Sequence, residues 1–154
     1  MTLVKKSSDP RRLKEAWTIG YEGRTVDQFM HTLLQSGIEQ VVDVRQRPFS
    51  RKSGFSKNAL SRELMKTGIL YQHIPELGTP PTLRKKMKNG GSLQRLLEGY
   101  TRHLSKNERA YESLSSLIES KASAIMCFER DYTACHRQVL AEKLERDGFR
   151  VMHL

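Results

Sequence analysis

The sequence predicts an α/β domain with an open, mostly parallel sheet of about five strands and helices on both faces. Three observations predict it. Short β-branched runs alternate with amphipathic helical stretches along the chain, and strands separated by helices pair in parallel through right-handed crossovers. Turn signals, mostly glycine, separate the two kinds of segment. Polar and charged residues gather where the strands end, the edge at which the loops of such a sheet converge.

Residues 1–15 carry five basic and two acidic residues around Ser7-Ser8-Asp9-Pro10 and read as a basic flexible arm outside the core. A single α/β domain is expected over 16–154. WTIGY, residues 17–21, forms a first strand, and the stretch after it sets Val26, Phe29, Met30, Leu33 and Leu34 at helical spacing, with Thr25 as N-cap and Gly37 as stop. EQVVDVR, 39–45, is a second strand, and SKNALSRELMKTG is a helix capped by Ser56 and ended by Gly68. ILYQHIP, 69–75, is a third strand. Residues 76–121 hold two or three helices around the Asn89-Gly90-Gly91 break, which makes a helical insertion around 79–109. SAIMCFE, 123–129, is a fourth strand, Thr133 caps a helix that runs to Asp147, Gly148 ends it, and RVMHL closes the sheet. No internal repeat or low-complexity tract competes with this order.

The 154 residues suffice for one core. A hydrophobic fraction of 37% argues against disorder, and no apolar run approaches the ~18 residues needed to span a membrane. The N-terminal MTLVKKSSDPRRLKEAW lacks the apolar stretch of a secretory signal, so a cytoplasmic protein with free thiols is expected. With 27 Lys and Arg against 17 Asp and Glu the net charge is +10, which favours a polyanionic partner, nucleic acid before a membrane surface. Residues 43–66 hold seven basic and two acidic residues, and 79–109 eight and two. Both segments leave the ends of strands two and three, so the positive field surrounds the polar edge. Nucleic acid or a phosphate-bearing small molecule is the expected partner.

The densest polar cluster is CFERDYTACHRQVL, residues 127–140, which contains both cysteines of the chain. Cys135, near a helix N-terminus beside His136 and Arg137, has its thiolate favoured by the helix dipole and by local positive charge. It reads as a nucleophile or, on the plainer reading, as a small residue packed on the sheet. Cys127, between Met126 and Phe128 on a strand, reads as a buried small hydrophobe. Glu129 follows the strand and is a base, a charge stabiliser or half of a buried ion pair. Asp43 is a second carboxylate or a structural one bonded to backbone amides. Arg45 and Arg137 suit bidentate recognition of phosphate or carboxylate, and Tyr21 can stack on a base or pack in the core. His73 and Tyr71 alternate on strand three and fit either role. Cys127, Cys135 and His136 lack the paired CxxC spacing of zinc sites, so no metal is expected. There is no GxGxxG and no Walker lysine, so no cofactor is expected either. Thr133 and Ala141 stand where a phosphatase loop would need arginine.

These segments together resemble the domain of unknown function 488 family over nearly all of residues 17–154. TIGYEGRTVDQF is similar to its opening strand and turn, VVDVRQRPFSRKSGFSK to its Asp-Val-Arg segment, GILYQHIPELG to its third strand, and IMCFERDYTACHRQVLAEKL to its closing Cys, Glu and Cys-His-Arg signature. Thr79 departs from the pattern, since many relatives carry a second glycine after Leu-Gly. The resemblance implies an α/β domain with Tyr21, Asp43, Arg45, Glu129, Cys135, His136 and Arg137 as its site. The leading functional expectation is an enzyme acting on nucleic acid or a nucleotide, by hydrolysis or transfer at a base or its glycosidic bond. Arginines would hold phosphate, Tyr21 the base, and Glu129 or Asp43 would act as base or stabilise developing positive charge. Two alternatives remain open: a thiol-dependent sulfur-transfer or redox enzyme built on Cys135, and a non-catalytic nucleic-acid-binding module that uses Lys85, Lys86 and Lys88.

Overall fold

The computed structural model describes residues 14–154, so the basic arm lies outside the described residues except for Lys14 and Glu15. Those two open strand β1 (Lys14–Gly20). The other strands are β2 (Gln40–Asp43), β3 (Leu70–His73), β4 (Ser123–Cys127) and β5 (Phe149–His153), joined in the order β3-β2-β4-β1-β5. Every pairing is parallel. The expected fold class is therefore the observed one.

The helices are α1 (Val26–Gln35), α2 (Lys57–Lys66), α3 (Pro81–Lys88), α4 (Leu93–Ser105), α5 (Glu108–Ser120) and α6 (Arg137–Arg146). Helix α1 starts at a capping box, in which the Thr25 hydroxyl accepts from Gln28 N and the Gln28 side chain accepts from Thr25 N. Its apolar residues Phe29, Met30 and Leu33 join Leu60 and Leu64 of α2 on one face of the sheet, over Ile19, Val41, Ala124 and Met126. Helices α4, α5 and α6 cover the opposite face with Tyr100, Leu114, Ile118, Leu140 and Leu144, over Ala16, Val42, Ile125 and Cys127. Strand β4 shows the alternation plainly: Ala124 and Met126 serve one core, Ile125 and Cys127 the other. Helix α3 buries no residue and presents Lys85, Lys86 and Lys88 to solvent.

The strand order fixes where a ligand crevice belongs. Strands β1 and β4 are neighbours, yet the chain leaves β1 toward α1 on one face and leaves β4 toward α6 on the other. Connections that diverge from adjacent parallel strands open the sheet's carboxyl edge at that point. Gly20 is required there. The backbone carbonyl of Glu129 would lie 1.8 Å from any β-carbon at this position, so only glycine lets the chain after β4 cross the end of β1.

One expectation needs correction. Thr133 does not cap α6. Its amide and hydroxyl both donate to Asp131 Oδ1, at 2.9 and 2.6 Å, and so tighten residues 132–134 into a single 3-10 turn. The helix begins at Arg137 with His136 at the N-cap. Cys135 and His136 thus stand just before the first turn rather than inside it.

Candidate active site at the carboxyl edge of the sheet

All seven residues expected at the site lie at the carboxyl ends of β1, β2 and β4 or in the approach to α6, in two groups of different character. The first group surrounds Asp43, which has no exposed surface. Its carboxylate accepts the Arg45 backbone amide at 3.0 Å, Arg45 Nε at 2.9 and 3.1 Å, Arg45 Nη2 at 2.8 Å and the Tyr71 hydroxyl at 2.6 Å. Arg45 Nη1 donates to the Tyr21 hydroxyl at 3.3 Å, and the Arg45 backbone carbonyl is 2.7 Å from His73 Nε2. Burial opposes the charge of Arg45, but the bonded Asp43 carboxylate outweighs it and raises the guanidinium pKa. Burial and then Asp43 push the Tyr71 phenol up.

Tyr21 cannot be a base platform. Its ring stacks on Phe55 at 4.5 Å and 12°, meets Phe128 edge-on at 5.3 Å, and has the Arg45 guanidinium 5.3 Å from its centroid. Lys52 Nζ donates to the Tyr21 carbonyl at 3.2 Å. Asp43 likewise has no carboxylate oxygen left for a substrate proton. The structure makes Asp43, Arg45, Tyr71 and Tyr21 a self-satisfied scaffold rather than a catalytic group.

The second group is Cys127, Glu129, Cys135, His136 and Arg137. Cys127 and Glu129, two residues apart at the end of β4, point the same way, and Cys127 Sγ lies 3.6 Å from Glu129 Oε2. Cys135 Sγ is 3.5 Å from His136 Nδ1 and accepts the Arg137 amide at 3.5 Å. His136 Nε2 donates to the Val44 carbonyl at 3.1 Å, and the Tyr100 ring packs on the imidazole at 5.0 Å. Tyr100 is itself held by its hydroxyl, 2.6 Å from the Leu77 carbonyl. Both cysteines are free thiols. Their sulfurs and a His136 ring nitrogen all lie within 4.8 Å of one another, a grouping of metal-capable donors that the linear spacing argued against.

The cluster shares charge unevenly. Burial would raise both thiols. It does so for Cys127, whereas the bond from Cys127, the imidazole and Arg137 together bring Cys135 well below the usual thiol range. Burial lowers His136, but the Cys135 thiolate outweighs it and the net shift is upward. Burial, then the negative charge of Cys135, pushes Glu129 up to about 7.

Arg137 is 1% exposed and has no carboxylate partner among the described residues. Its Nη2 donates to the Glu129 backbone carbonyl, its Nη1 to Thr18 Oγ1 at 3.2 Å, and its Nε has no partner. Thr18 Oγ1 in turn lies 2.5 Å from His153 Nδ1, and the His153 ring stacks on Tyr132 at 3.4 Å. Two further arginines stand nearby. Arg24 bonds Thr32 Oγ1 through Nη1 at 2.8 Å while its Nε is buried without a partner. The Arg130 guanidinium lies over Gly23, 3.5 Å from where a β-carbon would stand. Burial, and then the charges of Arg130 and Arg137, lower the Arg24 pKa. Sequence reasoning missed Arg24, Arg130, Phe128, Thr18, Tyr100 and His153. A signal existed for the first two, because a basic residue closes the turn after both β1 and β4.

Two concavities open on the molecule away from this cluster. One of about 620 Å³ lies between the turn after β3 and the α4–α5 corner, lined by Ile74, Glu76, Asn107 and Arg109. The other, of about 390 Å³, lies between α4 and α6, lined by Leu93, Leu97, Thr133 and Val139. Neither is lined by Glu129, Cys135 or Arg137. Among the described residues, no helix is long and apolar enough to cross a membrane.

No curated protein and no solved structure matches the chain. The family model described as domain of unknown function DUF488 matches residues 25–144. The matched span contains Asp43, Arg45, Glu129, Cys135, His136 and Arg137, and the chain belongs to the DUF488 family.

Proposed function

We propose that the protein is a hydrolase acting on a nucleotide or nucleic acid, at the base or its glycosidic bond, through the crevice between the ends of β1 and β4. One observation carries this reading. At the point where the two connections diverge, the guanidinium groups of Arg24, Arg130 and Arg137 form no ion pair among the described residues, Glu22 accepting only the Arg130 backbone amide at 3.1 Å, and Glu129 and the 45% exposed Phe128 belong to the same turn. Guanidinium groups brought together without anions of their own favour a phosphate ligand. An exposed aromatic next to them gives a base a surface to stack on. Glu129 forms no ion pair among the described residues, and it supplies the base that activates water. The +10 net charge adds long-range attraction for a polyanion.

The thiol reading has its own support in the His136 nitrogen 3.5 Å from Cys135 Sγ. It ranks second because Cys135 would have to meet the substrate itself while 2% exposed, whereas Glu129 stands on the partly exposed side of the cluster and can work through a water.

The test is a salt titration of binding to single- and double-stranded DNA and RNA, for the wild type and for Arg24→Ala and Arg130→Ala. Each substitution should weaken binding and flatten the dependence of log affinity on log salt by about 1. Binding that is unchanged by both substitutions would remove the crevice from the reading.

A further inference from the structure

We propose that Cys127 Sγ, Cys135 Sγ and His136 Nδ1 hold a zinc ion whose fourth position faces Glu129 and carries the water used in hydrolysis. The proposal rests on the hydrolytic reading above for the water's purpose, though not for the binding of the metal. With Zn–S near 2.3 Å and Zn–N near 2.0 Å, a tetrahedral ion sets sulfur and nitrogen about 3.5 Å apart. Cys135 Sγ and His136 Nδ1 are separated by 3.5 Å. The third donor, Cys127 Sγ, comes from β4 across the sheet edge and completes a set whose atoms all lie within 4.8 Å of one another. Hydrogen bonds link these atoms two at a time, Cys127 to Cys135 and Cys135 to His136, whereas a metal holds all three at one point.

The surrounding bonds are those a metal site needs. A ligating imidazole donates its other N–H to a backbone carbonyl, which fixes the tautomer and aims the free lone pair. His136 Nε2 donates to Val44 O at 3.1 Å, which leaves Nδ1 directed at the sulfurs. The Arg137 amide donates to Cys135 Sγ at 3.5 Å and steadies a thiolate ligand. Two thiolates cancel the charge of the ion, so the centre can sit among side chains that are 1%, 2% and 8% exposed. Two thiolates with one imidazole select zinc over magnesium or calcium, and three protein ligands leave the open fourth position of a catalytic rather than structural site. This arrangement does not need the paired CxxC whose absence argued against a metal in the sequence.

Glu129 stands two residues beyond a ligand, with Oε2 3.6 Å from Cys127 Sγ. A non-ligating carboxylate two residues after a ligand is how zinc deaminases of nucleobases place their general acid and base. In the same way, the zinc-bound water gives one proton to Glu129 and its oxygen bonds to the electrophilic carbon of the substrate. Glu129 then returns that proton to the departing nitrogen as the C–N bond breaks, so that water is divided between the two products.

The full-length protein should be purified without chelator and its metal content measured, then stripped and titrated with Co²⁺. About one zinc per chain is expected, and the cobalt form should show thiolate-to-metal charge transfer and the intense visible bands of a tetrahedral ion. Cys135→Ser and His136→Gln should each weaken zinc binding at least tenfold, read by competition with a chromogenic chelator, and Glu129→Gln should leave it unchanged. Folded wild type that takes up neither zinc nor cobalt with charge transfer overturns the proposal, and this measurement requires no variant to fold. Zinc affinity lost equally in Glu129→Gln would make Glu129 a ligand and overturn the water position. Oligonucleotide binding by a metal-free wild type would leave the hydrolytic reading standing without the zinc. Stoichiometric zinc with no oligonucleotide binding would do the reverse.

Discussion

The two polar groups at the carboxyl edge are built from similar residue types and behave as opposites. Around β2, Asp43, Arg45 and Tyr71 spend their polar atoms on one another: the carboxylate takes one backbone amide, a guanidinium fork and a phenol. Around β4, among the described residues, Glu129 and Arg137 form no ion pair and Arg137 Nε has no hydrogen-bond partner. Buried charge that closes on itself holds a loop. Buried charge left open marks where a ligand completes the structure. The difference separates scaffold from site more sharply than residue identity does.

The largest test of that contrast is Asp43→Ala. It leaves the Arg45 guanidinium buried and unpaired, which should cost about 3–5 kcal/mol in urea denaturation. Replacing both partners with apolar residues of similar volume should recover much of that loss. A cost below about 1 kcal/mol would show that Asp43 is not the anchor of the β2 side. Tyr71→Phe is a milder form of the same experiment: it removes one 2.6 Å bond to a carboxylate and should cost about 1.5–3 kcal/mol.

Gly20→Ala probes the other side. The new β-carbon meets the Glu129 carbonyl, the atom that also receives Arg137 Nη2, so the loop after β4 must shift as a unit. A stability cost of about 1–3 kcal/mol is expected. Oligonucleotide binding should fall with it, because Phe128 and Arg130 move together. Gly37→Ala is the control. It has no atom within 4 Å of the new carbon and a φ of +70°, so it should show backbone strain of about 1–2 kcal/mol and leave binding unchanged. If Gly20→Ala costs stability without touching binding, the crevice does not depend on the position of that loop.

What the sequence showed and what it hid follow from the range of the interactions. Helix α1 was legible because its signals are local: Thr25, Gln28 and Gly37 define both ends, and Phe29, Met30 and Leu33 repeat at helical spacing. The edge was legible because parallel strands must end on one side, so Cys127, Glu129, Asp43 and Arg45 could be assigned to it before any contact was known. Strand β1 was read three residues short, since Lys14 and Glu15 are exposed and their pairing partners, Phe149 and Arg150, lie at the far end of the chain. The start of α6 was misplaced because Thr133 can cap a helix or close a turn on Asp131, and only the fold decides. The bonds from Arg137 to Thr18 and from Thr18 to His153 span 119 and 135 residues. No spacing rule reaches that far.

Glu129→Gln should have the smallest effect on stability and therefore says most about the β4 side. The carboxylate forms no ion pair among the described residues, and Arg137 is held by the Glu129 backbone carbonyl, which the substitution keeps. Urea denaturation should shift by no more than about 0.5 kcal/mol. Oligonucleotide affinity should hold, because Arg24, Arg130 and Phe128 are untouched. Turnover of a nucleotide substrate should fall by about 10²–10⁴, the loss expected when a general base becomes an amide that cannot take a proton. A destabilisation above about 2 kcal/mol would instead mean that the carboxylate is already satisfied within the protein. The β4 group would then be a second scaffold like that around Asp43, and the contrast between the two sides would fail at the residue on which it most depends.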